Sequence, residues 1–323
     1  MNSAWVVARK ELLELRRDRL FAILIAFLAV AVLVSVAIAS VDFRGKLDEY
    51  YLYVDQLKGS GSTTAPAPPQ LFPLQLLRAG IEYIEILAAL FAIVLGYGTI
   101  AKEKQRGTLE LVLTRPLGRF ALAGGKILGL AIVWLAVVVI LTAVSTLAVI
   151  AIGNAPLSGV DALRILIASV FAWFYLVFWS ALAIALTSLS ARLSTGLIVA
   201  IVIWLAFVLI IPQIGDTMDP DNQVPGGLFA MLRIKVDDEL AVLAHFAQFD
   251  GIRNGIEVSS ITKHFERLSF AFLGVTNTYN QMPLAFVWTE MMGYAITLTV
   301  AAIVSVLVAL AVTTRRTLLR KQS

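Results

Sequence analysis

The sequence predicts an all-α polytopic membrane protein with six transmembrane helices. Hydrophobic residues fill 59% of its 323 positions and charged residues only 15%, against roughly half and a quarter in a soluble domain. Mean hydropathy is +0.86. Six apolar runs approach the length of about 20 residues that a helix needs to cross a bilayer core. They are 20–41, 86–101 with a lead-in from near Leu77, 127–152, 165–189, 195–214 and 287–312. Each is apolar on all sides, whereas the strands of a membrane β-barrel alternate apolar and polar positions.

Residues 1–19 read as an amphipathic helix on the membrane surface. Trp5, Ala8, Leu12 and Leu15 share one stripe, with Arg9, Glu11, Arg16 and Asp18 away from it. The first apolar run is too long for the core of a signal peptide, and nineteen mixed-charge residues precede it, so it is expected to remain as span 1. Residues 42–79 read as an outer loop whose middle, GSGSTTAPAPP, has linker composition. Glu82 and Glu85 lie one turn apart where the second run begins, as carboxylates at the wet end of a helix commonly do.

Between spans 2 and 3 comes the basic stretch 102–126, KEKQRGTLELVLTRPLGRFALAGGK. Gly107 interrupts the helix leaving span 2, and Thr108 can cap a new one. Leu109, Val112 and Leu113 give that helix an apolar face, and Pro116 ends it by forcing Arg115 out of the helical region. A helix of under two turns is not stable alone, and this one presents three aliphatics. A partner's groove would satisfy both demands, with the flanking cations setting register.

Further on, Asn154, Pro156 and Gly159 mark a turn, and Ser190 to Ser194 form a tight hairpin. Residues 215–286 read as a helical outer subdomain, part of it dipping into the outer leaflet, with apolar periodicity from Leu228 to Phe246. Residues 287–323 supply span 6 and a tail. The spans with their loops thus occupy 20–214 and 287–323, around the outer unit.

Six spans put both termini on one face. That face carries sixteen Lys/Arg against five Asp/Glu, and the other carries ten against seventeen. Cations flanking spans mark the cytoplasmic side, so both termini and 102–126 are expected there. The basic balance follows from topology and anionic headgroups and does not call for nucleic acid.

EKQRGTLELVLTRPLGRFALAGGK between spans 2 and 3, and ARKELLELRRDR at 8–19, resemble the permeases of ABC-2 type transporters. Over 96–135 the similarity is greatest to the permeases of nitrous-oxide-reductase maturation systems. The resemblance covers roughly 1–215 and leaves the outer unit outside it. It implies a prokaryotic plasma-membrane exporter subunit that dimerises, with an ATPase subunit bound to each copy. It also implies that ATP and Mg²⁺ sit in that partner and that this chain binds no cofactor. On this resemblance 102–118 is a coupling helix seated in the ATPase, through Glu103, Arg106, Gly107, Thr108, Leu109, Leu113, Pro116 and Arg119. The N-terminal helix, with Trp5, Arg9, Lys10, Glu11 and Leu12, is an interface helix beside it.

Other chemistries find little support. A phosphate loop needs G-x-x-x-x-G-K-[ST], and Gly124-Gly125-Lys126 has Phe120 in place of the first glycine and Ile127 after the lysine. The middle of each run lacks the ionisable groups of an ion-coupled transporter, and the membrane-depth nucleophile–base pair of a protease is missing. An ATPase-driven anchor that transports nothing is the alternative. Cysteine is absent, and His245 and His264 lack metal-site spacing. Asp216, Asp219 and Asp221 do not form an EF-hand. Five of six methionines lie in 218–292, where methionine is an ordinary filler of apolar gaps. The outer unit 215–286 offers a surface for an extracytoplasmic partner.

Overall fold

The computed structural model describes residues 3–59, 72–107, 118, 120–218, 231–232 and 247–318. Every regular element among them is a helix. We number them α1 (Ser3–Arg16), α2 (Arg19–Gly59), α3 (Pro73–Gln105), α4 (Ala121–Ala151), α5 (Gly159–Leu189), α6 (Leu193–Gly215), α7 (Ala247–Val258), α8 (Ile261–Phe272), α9 (Leu284–Val312) and α10 (Arg315–Leu318). Six of these, α2 to α6 and α9, are long and apolar enough to cross a membrane. They match the six runs read from the sequence.

Helices α3 and α5 form the buried centre, while α2, α6 and α9 are peripheral with mostly exposed apolar faces. Small residues let the central pair approach closely. A Cβ on Gly96 would sit 2.5 Å from the Ser180 carbonyl oxygen, the kind of contact by which small side chains bring membrane helices together. Trp134 of α4 joins them by donating its indole N–H to Ser180 Oγ at 2.8 Å. Ser158 and Asp161 form a capping box at the start of α5, after a turn in which Asn154 takes a positive φ of 50°.

Of the loop expected over 42–79, the described residues 42–59 and 73–79 are helical. α2 runs on to Gly59, and at 1.5 Å per residue its 41 residues extend about 60 Å, twice the bilayer core. Gly45 alone does not break it, and Asp42 pairs with Lys46 one turn on at 2.7 Å. Most of the linker sequence lies outside the described residues.

Helix α6 contains a π-helical stretch, Leu205–Ile210, just before Pro212. In π register the Phe207 carbonyl would accept from position 212, where proline has no N–H. Ser260 Oγ donates to that carbonyl instead, at 2.5 Å. Ser260 also caps α8 by accepting from Thr262 N. Helix α8 then packs between α5 and α9, with Phe265, Leu268, Ala271 and Phe272 fully buried and Phe265 stacked on Tyr175 at 4.6 Å. Much of the periodic stretch 228–246 lies outside the described residues.

Candidate functional site

At the face carrying the N-terminus, α1 joins the bundle by one side and keeps Trp5, Val6 and Leu13 exposed on the other. It packs along the first turns of α4, where Gly125 and Gly129 leave room for it. A Cβ on Gly125 would lie 2.5 Å from Val7 Cβ and 2.6 Å from the Ala4 carbonyl, and one on Gly129 would lie 3.0 Å from Glu11 Cβ. The buried stripe is Val7, Ala8, Glu11 and Leu15. This corrects the expected one: Trp5 is exposed, Leu12 is half-buried, and Glu11 faces inward.

Glu11 is buried because Lys126 meets it. The Lys126 ammonium, fully buried, donates to Glu11 Oε1 at 2.7 Å and to the Thr99 carbonyl at 2.7 Å, and it lies 3.0 Å from Glu103 Oε2. An ammonium has three protons; two are donated in these hydrogen bonds, and Glu103 is held by charge. Lys10 closes the group by donating to Glu103 Oε1 while lying 3.5 Å from Glu14. Glu11, Glu103, Lys10 and Lys126 thus make a neutral quartet from three helices. Desolvation is costly for isolated buried charges, and mutual pairing is what makes such a group tolerable. Burial raises Glu11 above the usual carboxylate range, against the opposing pull of Lys126. Burial acts to lower Lys10, but the Glu103 hydrogen bond and charge outweigh it and hold the amine above its ordinary value.

A second tie lies one turn away, where Lys102 of α3 donates to Asp18 in the link between α1 and α2. Burial raises the Asp18 carboxyl, yet the Lys102 hydrogen bond and the Leu20 N–H bring it below its usual value. Beside this pair a shallow cleft of about 450 Å³ is lined by Glu14, Arg17, Asp18, Arg19, Lys102 and Arg106. Its four cations outnumber its two carboxylates. Helix α3 ends there as the sequence predicted, with Gly107 at φ 66°, a left-handed C-cap that glycine adopts without steric penalty.

Of the predicted coupling positions, Glu103 turns into the quartet and Arg106 and Gly107 are exposed. Thr108, Leu109, Leu113, Pro116 and Arg119 lie outside the described residues. Of the interface-helix positions, Lys10 and Glu11 enter the quartet and Arg9 faces outward. Lys126 was visible in the sequence only as a failed phosphate-loop lysine. Its signal was a lone cation one turn inside an apolar helix, with glycines on either side.

The family model for ABC-2 family transporter protein matches residues 5–320, nearly the whole chain. The chain belongs to the ABC-2 transporter family. The resemblance carried by 8–19 and 102–126 therefore extends across the outer unit. The chain is also similar to a probable ABC transporter permease protein, NosY, of Stutzerimonas stutzeri, at 31% identity over 129 residues. That match spans 40% of this ABC-2 protein and 39% of the relative.

The opposite face of this ABC-2 protein holds further buried charge. Arg164, at the start of α5, donates to the Phe272 carbonyl at 3.2 Å and to the Met282 carbonyl, fastening α8 and the following connection to the bundle. His264 is buried with Nδ1 3.0 Å from the Ser260 carbonyl one turn back. His245, Asp219 and Asp221 lie outside the described residues. Among the described residues no group of three or more His, Asp or Glu is placed to hold a metal. Met291 is a buried core residue.

Proposed function

We propose that this chain is the permease subunit of an ATP-driven exporter and that the Lys126 quartet transmits force from a separate ATPase. The single observation behind this reading is where the quartet sits. Glu103 and Lys126 bracket the segment that the family resemblance makes the coupling helix, and both are bonded to α1. A push on residues 104–125 would reach α1, α3 and α4 together, because sliding any one of them would separate buried opposite charges.

In this reading two copies of the chain associate in a prokaryotic plasma membrane, termini in the cytoplasm, each holding one ATPase subunit. ATP and Mg²⁺ bind in that subunit. Its closure rocks the paired permeases between inward- and outward-open states, a two-state element biased by ligand as allosteric coupling requires. The coupling surface comprises Arg106, Thr108, Leu109, Leu113, Pro116 and Arg119, with the basic cleft at Arg17, Arg19 and Lys102 beside it to receive acidic groups of the ATPase. Glu103 acts behind that surface as a positioning residue.

The test uses the full chain co-expressed with its cognate ABC ATPase subunit. Arg106→Glu and Leu109→Ala should each reduce ATPase co-purification while membrane insertion is unchanged. Wild-type recovery of the ATPase by both variants would contradict the docking assignment.

A further inference from the structure

At the end of the bundle away from the termini, α6, α7, α8 and α9 enclose a polar cavity of about 600 Å³. This is within the usual range of small-molecule sites. Its two walls differ in charge. On the α7–α8 wall stand Arg253, Lys263 and Arg267 against Glu257 and Glu266, an excess of one cation among the described lining residues. On the α9 wall stands Glu290, exposed and, among the described residues, making no ion pair. Sequence reading offered 215–286 as a partner surface and singled out neither Glu290 nor the cations facing it.

The walls are built, not merely adjacent. Arg267 donates to Glu257 and Asn254, both at 2.5 Å, and to the Tyr294 hydroxyl at 2.8 Å. Glu257 packs on the end of α6, where a Cβ on Gly215 would lie 2.6 Å from its Cγ. Burial and then the Glu290 charge hold the Tyr279 hydroxyl above its ordinary value. Tyr279 lines the cavity within reach of the Glu290 charge, and a carboxylate beside an aromatic ring suits an organic ammonium, while the Tyr294 ring carries Arg267 over it at 5.7 Å. The cavity also lies at the ends of two spans, the depth at which lipid headgroups sit.

We propose that this cavity binds a zwitterionic amine–phosphate group, its ammonium at Glu290 and its anion on the Arg253–Lys263–Arg267 wall. The chemistry is shared by the headgroup of a zwitterionic phospholipid and by a small soluble zwitterion. It goes beyond the permease reading and does not need it.

Isothermal titration of the purified full chain in maltoside micelles tests this with three probes: dihexanoyl phosphatidylethanolamine, O-phosphoethanolamine and dihexanoyl phosphatidic acid, which lacks the ammonium. At least one zwitterion should bind saturably. Glu290→Gln should weaken that binding roughly tenfold or more, the usual loss for a charged hydrogen bond, and leave phosphatidic acid unchanged. Binding of the lipid alone identifies a headgroup site, and binding of both zwitterions identifies a soluble ligand. Absence of saturable binding by both zwitterions, equal affinity in Glu290→Gln, or equal affinity for phosphatidic acid would overturn the proposal. No ATPase is present in the assay, so its failure leaves the coupling reading standing.

Discussion

Lys126 and Glu11 are 115 positions apart in the chain, and their charged atoms meet at 2.7 Å in a fully buried contact. One residue begins the third span and the other sits in the middle of the N-terminal helix. Their pairing fixes α1 to the bundle and places it beside the segment between spans 2 and 3.

Removing the shared cation should therefore be expensive. Lys126→Met leaves Glu11 and Glu103 facing each other without their common partner, a loss of about 3–5 kcal/mol for a broken buried ion group. Denaturant unfolding in mixed micelles should show it. Combining Lys126→Met with Glu11→Gln and Glu103→Gln should recover much of the loss, because neutral amides need no counter-charge. Equal destabilisation by the single and the triple variants would count against a charge-based joint.

Adjacent glycines should behave differently. Gly125→Ala forces a Cβ into Val7 and the Ala4 carbonyl, and overpacking of this kind costs about 1–3 kcal/mol. At Gly124 the nearest atom to a new Cβ is Leu310 Cδ2 at 3.6 Å, an ordinary contact. Gly124→Ala should leave stability unchanged while Gly125→Ala releases α1 to faster hydrogen exchange.

Arg164→Met should loosen α8. It strips donors from the Phe272 and Met282 carbonyls, and an unsatisfied buried group costs about 1–3 kcal/mol. Hydrogen exchange should accelerate over 261–283 and not over α1.

The α1–α2 link should respond to acid. Because Asp18 is held below its usual value, its contribution is fully present above its unfolded value, near pH 4, and is lost as pH falls through the lower folded value. Glu11 works in the opposite sense. Its raised value favours the fold at low pH, and that contribution fades as pH rises through the folded value. Exchange at residues 16–22 should thus quicken below about pH 4, and Asp18→Asn should remove this dependence.

How much of this was legible beforehand depends on what each residue reports. The six spans were readable because twenty successive apolar residues, repeated six times in a chain this poor in charge, would not stay soluble and suit only a bilayer. Gly107 was readable because a break between two helical stretches has a local chemical signature. The quartet was not. Glu11 and Glu103 look like any charges near a span end, and only the fold shows that Lys126 reaches both. Helical periodicity placed Ala8 and Leu15 on the buried stripe of α1 but not Glu11, for the same reason: a carboxylate on a buried stripe violates the apolar pattern unless its cation is known. The extension of α2 to Gly59 was missed because its charged outer half resembles loop composition, although an i,i+4 ion pair supports helix there. The cavity at Glu290 needed α7 and α8 in place before its walls could be seen together.

In the proposed mechanism the Lys126 quartet carries motion from the ATPase to the spans. The most direct measurement is the distance between spin labels at Phe286 on the two permease copies, in nanodiscs with the ATPase bound, before and after ATP with vanadate. Wild type should show a clear change that is lost in Lys126→Met although the ATPase still binds and is trapped. A full wild-type change in Lys126→Met would contradict the mechanism.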